Sequence, residues 1–312
     1  DHAASARLEP TMSKKSKQRP PAWKRAVVKG MRATPFGASD KPTGGAVRSR
    51  YDQLQPPPDA PPDWPIGPPD FVIIGAQKSG TTWWQGLMEG HLEIHRPHRQ
   101  RRELHFFDHF WDRWPDEAQF ELYKQYFPRP QGSLVGEKTP GYLYQPWVAP
   151  MLKHVAPDAR LIVLMRDPVA RYISNLGLLK RAGALKGEVG ANDLGSREHR
   201  VVEALERSRY GTQLAWWFEH FPREQFLLLQ YEQCVADAQT QLDRTYDFLG
   251  LRGQNASVQE IKRARKKATE HVTLPDSARE WLGQYYADDV RKLREVMPDL
   301  DLSLWPSVAP LD

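Results

Sequence analysis

Phe71-Val-Ile-Ile74 is a short all-apolar run set between Pro69 and Gly75. Three of its four residues are β-branched, which predicts a strand buried on both faces. Beyond Gly75 the period changes. Trp84, Leu87 and Met88 recur at helical spacing across residues 81–90, so strand, Gly-rich turn and helix follow in that order. The same order returns at 161–165, where Leu-Ile-Val-Leu-Met runs into Arg166-Asp-Pro168. Asp167 suits a helix cap there, and Pro168 suits the first helical position. A third apolar run, Phe226-Leu-Leu-Leu229, follows an aromatic, helix-like stretch at 213–220. Residues 277–296 read as an amphipathic helix with Trp281, Leu282, Tyr285 and Leu293 on or near one face. Strands alternating with helices predict an α/β fold, a mostly parallel sheet flanked by helices in a single domain. No repeat of 20–50 residues is present.

At 312 residues the chain is long enough for one sizeable core with appendages, and 40% hydrophobic with 27% charged residues is ordinary for a globular protein. No run approaches 18 apolar residues, and no apolar leader precedes the first strand, so neither a membrane span nor a secretory signal is expected. The net charge of +5 invites a nucleic-acid reading until it is located. Residues 1–50 hold 12 Lys/Arg against 3 Asp/Glu, whereas residues 51–312 hold 32 against 36. The basicity belongs to an arm, and no nucleic acid is expected at the body. Residues 1–11, ahead of Met12, read as a non-native remnant, and the Pro-crowded stretch 56–69 reads as an extended linker. The expected organisation is therefore an arm over 1–69 and a folded domain over 70–312. The single cysteine, Cys234, excludes an intramolecular disulfide and a multi-cysteine zinc site.

The most informative segment is Gly75-Ala-Gln-Lys78-Ser79-Gly80-Thr81-Thr82. It lies between the predicted strand and helix, where free backbone N–H groups and the helix dipole make an anion cradle. The Gly-x4-Gly spacing matches an NTP-binding P-loop, but Thr81 stands where that loop needs Lys, and Lys78 lies inside instead. The dinucleotide fingerprint also fails, since Ala76 and Gln77 are not glycines.

Lys within the loop followed by Ser-Gly-Thr-Thr resembles the 5′-phosphosulfate loop of sulfotransferases that use 3′-phosphoadenosine 5′-phosphosulfate (PAPS). A second element, 161–174, resembles their 3′-phosphate motif, a strand ending in Arg166 with Ser174 eight residues later. Arg102-Glu103-Leu-His105-Phe-Phe107 and Gly136-Glu137-Lys138-Thr-Pro-Gly-Tyr142 resemble segments of the heparan sulfate N- and O-sulfotransferase branch. The resemblance covers about three quarters of the chain and implies a P-loop sulfotransferase fold. It further implies sulfuryl transfer from PAPS to a hydroxyl or amine of a carbohydrate or other small-molecule acceptor, with PAP as product and no metal.

By the same resemblance, Lys78 meets the charge that develops on the departing phosphate, and Ser79, Gly80, Thr81 and Thr82 hold the 5′ end. Arg166 and Ser174 take the 3′-phosphate, and Tyr210 lies at a nucleotide-holding segment. Glu103 matches the branch's catalytic carboxylate; its apolar neighbours Leu104, Phe106 and Phe107 would raise its pKa. His105 titrates near neutrality and stays open as base or helper. An extended segment would place both on one side. Glu137 and Lys138 match an acceptor-side pair and also read as a plain ion pair. The basic stretch Lys262-Arg-Ala-Arg265-Lys266-Lys267 stands where the branch has a late phosphate-binding loop, but lacks its Lys-Gly-Arg pattern. Arg96, Arg99, Arg101 and Arg102 form a charge cluster that could draw in an anionic acceptor. Trp111 and Trp114 are expected in the core, with stacking on a sugar as the other reading. Without the branch's anchor and disulfide, a bacterial-type cytoplasmic enzyme is expected. Two other classes stay open, a P-loop kinase and a non-enzymatic polyanion binder using the basic arm.

Overall fold

A computed structural model describes residues 56–96, 103–183, 199–251 and 272–308. All of them lie in the unit Lys41–Asp312. The basic arm up to Arg50, Arg99, Arg101, Arg102 and the stretch 262–267 fall outside the described residues.

Five parallel strands form one sheet in the order β2-β3-β1-β4-β5. They are β1 (Phe71–Gly75), β2 (Ile94–His95), β3 (Leu134–Lys138), β4 (Arg160–Met165) and β5 (Phe226–Gln230). The all-apolar runs become strands because both faces are covered. Val72 and Ile74 join Leu161, Val163, Phe226 and Leu228 in one cluster, while Phe71, Ile73, Ile162, Leu164, Leu227 and Leu229 join the other. Alternate residues thus serve opposite cores, as period two requires.

Helix α1 (Thr81–Met88) packs Trp84, Leu87 and Met88 into the second cluster. The other helices among the described residues are α2 (Glu117–Lys124), α3 (Val148–Val155), α4 (Pro168–Arg181), α5 (His199–Glu206), α6 (Tyr210–Trp217), α7 (Tyr231–Ala236), α8 (Ala238–Phe248) and α9 (Asp276–Val296). Asp167 caps α4 by accepting from Val169 N and Ala170 N at 3.0 and 2.9 Å, with Pro168 next in line. Against α6, the buried Asp289 of α9 accepts from Gly211 N, Thr212 N and Thr212 Oγ1 at 2.8, 2.9 and 2.5 Å.

The sequence order of the strands places the functional crevice. From β1 the chain goes to the β2–β3 edge, then crosses to β4 on the other side, so the carboxyl end of β1 is the topological switch point where α/β sheets bind ligands. The loop after β1, the end of β3 and the turn after β4 all open there. Residues 56–70 lie against the domain: Trp64 meets His95 edge-on at 4.8 Å, and Arg129 donates to Pro65 O through its amide and to Pro68 O through Nη1.

Candidate active site

The loop after β1 is built to receive an anion. Helix α1 begins without a side-chain cap, its N-cap being Gly80 at φ 86°, so its first amides are not taken up by a capping side chain. A Cβ at Gly80 would stand 2.6 Å from Tyr231 Cε2, and both geometry and space demand glycine. Ser79 is fully buried, with its hydroxyl beside that of Tyr210. A buried hydroxyl next to an uncapped helix start fits a phosphate. Lys78 adopts φ 72°, a left-handed conformation rare for a side chain and found mainly where function holds it. Burial and the surrounding Arg181, Arg166 and Arg171 lower its pKa. These cations converge on the loop, and among the described residues no acidic side chain forms an ion pair with Lys78, which makes the loop electropositive.

Arg166 follows β4 directly. Its guanidinium lies over the Tyr231 ring at 5.2 Å, and its carbonyl accepts from Tyr210 Oη at 3.0 Å. Ser174 is half-buried two turns along α4. Arg171, on the same helix, is completely buried and donates to Ser208 Oγ, Ala204 O and, at 3.4 Å, Gln77 O. It ties the anion loop to α4 and α5. No role for it was read from the sequence, where it stands only as the Arg inside the 161–174 motif.

Opposite the loop stands a charged network. Lys138 Nζ donates to Glu103 Oε1 at 2.6 Å and to Thr82 Oγ1 at 3.0 Å. Glu103 Oε2 lies 3.1 Å from His105 Nε2, and His105 Nδ1 lies 2.9 Å from Asp108 Oδ2. Asp108 was missed in the sequence, although its spacing of three residues from His105 is the signal that could have found it. Burial alone would raise the Glu103 pKa, but His105 and Lys138 outweigh it and hold the carboxyl at about 2. Hydrogen bonds to Asp108 and Glu103, opposed by burial, carry His105 up to about 10.

The sulfotransferase family model matches residues 69–255, more than half of the chain. The chain belongs to the sulfotransferase family. It is 31% identical over 189 residues to the Homo sapiens heparan sulfate glucosamine 3-O-sulfotransferase 3B1, covering 59% of this chain and 46% of that protein. The Mus musculus heparan sulfate glucosamine 3-O-sulfotransferase 6 is likewise 31% identical over 189 residues, covering 59% and 53%. The chain thus spans about half the length of the curated relatives it matches. A sulfotransferase structure from Alicyclobacillus acidocaldarius shares the fold with a TM-score of 0.62 at 23% identity, covering 77% of this chain and 100% of that one.

Within this sulfotransferase fold, four expectations change. The apolar neighbours of Glu103 do not raise its pKa, because two cations reach the carboxylate first. Glu103 and His105 do meet, but not along an extended segment: His105 turns at φ 55°, with its amide donating to Thr139 Oγ1 at 3.2 Å. Glu137 and Lys138 are the last two residues of β3 and take different hydrogen-bond partners. Successive strand residues face opposite ways: Lys138 meets Glu103, while Glu137 accepts from the buried Tyr123 hydroxyl and from Thr139 Oγ1 at 3.0 Å. Burial pushes the Glu137 carboxyl up to about 7. Lastly, Trp111 and Trp114 are 47% and 53% exposed rather than in the core, and Trp281 is 43% exposed on α9. Among the described residues no helix is long and apolar enough to cross a membrane, and no group of three His, Cys, Asp or Glu could hold a metal ion.

Proposed function

We propose that this sulfotransferase moves the sulfuryl group of PAPS to a hydroxyl or amine of a carbohydrate acceptor, releasing PAP. The observation that carries the reading is the reach of one ammonium. Lys138 Nζ touches both Thr82, in the first turn after the anion loop, and Glu103, the candidate base. A donor anion in the loop and a proton acceptor are thereby held within two side chains of each other. The names of the relatives, heparan sulfate glucosamine 3-O-sulfotransferases, support a carbohydrate as the acceptor class.

PAPS supplies, when bound, a sulfuryl group activated as a sulfate–phosphate anhydride. The chain supplies everything else. Ser79, the Gly80–Thr82 backbone and the Thr81 and Thr82 hydroxyls hold the 5′ end, while Arg166 and Ser174 serve the 3′-phosphate and Tyr210 fixes Arg166 through its carbonyl. Lys78 neutralises charge on the departing phosphate, a preorganised contact whose removal costs about 10²–10³ in turnover in comparable oxyanion sites. Glu103 takes the acceptor proton. It is ionised at neutral pH, whereas His105 is held there as an imidazolium with no lone pair to offer. His105 and Lys138 then orient the carboxylate, and Glu137, behind the strand, supports Thr139 and through it the His105 backbone.

Thermal-shift measurement with adenosine 3′,5′-bisphosphate against ATP plus magnesium tests the donor. Preferential stabilisation by the bisphosphate is expected. Preferential stabilisation by ATP would overturn the reading in favour of a kinase, which Thr81 at the usual lysine position already disfavours.

A further inference from the structure

The family model ends at residue 255, yet a segment well beyond it grips the turn that carries Arg166. Ser307 donates to Asp167 twice, through Oγ to Oδ1 at 2.5 Å and through its amide to Oδ2 at 3.2 Å. The Asp167 amide donates to Glu232 Oε1 at 3.0 Å, and the other oxygen of that carboxylate accepts from Trp305 Nε1 at 2.8 Å. Trp305 is fully buried, with its ring 6.0 Å from that of Tyr210, whose hydroxyl holds the Arg166 carbonyl. Each of these side chains that holds Arg166 or Asp167 from beyond β4 and α4, namely Glu232, Tyr210 and Ser307, is therefore in contact with, or part of, residues 305–307.

The segment is itself fixed at both ends. Gln230 and Asp301 exchange reciprocal hydrogen bonds at 2.9 and 3.2 Å. At the other end the Ser307 carbonyl lies so close to α9 that a Cβ on Gly283 would stand 2.2 Å from it. The consequences extend to the anion loop, because Tyr231, the neighbour of Glu232, underlies the Arg166 guanidinium and closes against Gly80.

We propose that residues 301–308 are a positioning clasp for the nucleotide site, with Trp305 and Ser307 setting the Arg166–Asp167 turn against α7 and so governing donor affinity. The clasp touches neither Glu103 nor His105 in any contact described, so it acts on donor binding and leaves acceptor handling alone. This inference rests on the donor assignment above.

Isothermal titration of the full chain with adenosine 3′,5′-bisphosphate, for wild type, Ser307→Ala and Trp305→Phe, separates the two. Ser307→Ala removes only a hydroxyl, and Trp305→Phe keeps a buried ring while removing the N–H to Glu232. Each variant is expected to bind the nucleotide about fivefold to tenfold more weakly, the loss expected for one hydrogen bond that orders a site. In steady-state transfer the donor KM rises by the same factor and the acceptor KM is unchanged, a split that a general loss of stability would not produce. Wild-type affinity in a folded Ser307→Ala protein, or donor and acceptor KM rising together, overturns the clasp alone. No binding by wild type overturns the donor assignment and the clasp with it.

Discussion

Glu137 offers a quantitative test because burial outweighs the Tyr123 and Thr139 hydroxyls and the His105 charge at its carboxyl, and its effect on stability has a definite sign. Its pKa is about 7 in the folded chain against 4.5 for the free group, with burial the leading cause. A carboxyl whose folded pKa is raised keeps its proton in the native state after the unfolded chain has lost it. Stability therefore falls as pH rises from 4.5 to 7 and levels off above. At 1.36 kcal/mol per pKa unit the fall is about 3 kcal/mol. Glu137→Gln keeps the shape and cannot ionise, so its stability lacks this fall. Near pH 4.5 the variant should be less stable by about 1 kcal/mol, the ordinary cost of an imperfectly matched buried hydrogen bond with Tyr123 or Thr139. Near pH 8 it should be more stable than wild type by about 2 kcal/mol. Urea unfolding of both proteins at the two pH values gives the double difference, in which every other titrating group cancels. An equal stability difference at pH 4.5 and pH 8 would refute a carboxyl whose pKa burial raises at this position.

Glu103→Gln should lower kcat by about 10²–10⁴ with donor affinity little changed, measured by labelled-sulfate transfer and nucleotide titration. The His105 and Glu103 shifts have opposite signs and bound a window: the first contributes stability complete below pH 6.5 and lost toward 10, the second stability complete above pH 4.5 and lost toward 2. The destabilisation by His105→Ala should accordingly be greatest between pH 4.5 and 6.5 and shrink at pH 9–10 in chemical unfolding. Cys234, fully buried with its thiol pushed up to about 12, should react with a thiol reagent only on unfolding, as followed by labelling across a urea series.

The strands and caps that place the anion site were readable because they depend on local chemistry. Phe71–Ile74 and Leu161–Met165 are apolar throughout since both of their faces are covered, and Asp167-Pro168 signals its helix start within two residues. The network around Glu103 was readable only as a set of names. Whether Lys138 pairs with its neighbour Glu137 or with Glu103 depends on which face of β3 each residue takes, and β3 carries two charged residues that no apolar pattern would place in a strand. The left-handed turn at His105 is likewise held by Thr139, 34 residues away. Trp111 and Trp114 misled in the other direction, since an aromatic residue suits a core and an exposed face equally well until its neighbours are known. The clasp at Trp305 and Ser307 was invisible for the same reason: its partners Glu232 and Asp167 lie 73 and 140 residues distant.

The central claim is transfer of a sulfuryl group with Lys78 at the departing phosphate. Its most direct test is a labelled-sulfate assay from PAPS to heparan-type and other carbohydrate acceptors, comparing wild type with Lys78→Ala. The account predicts labelled carbohydrate with wild type and a loss of about 10²–10³ in turnover with the variant. Near-normal turnover by Lys78→Ala, or no labelled product from wild type with any acceptor while ATP serves as a donor, would contradict it.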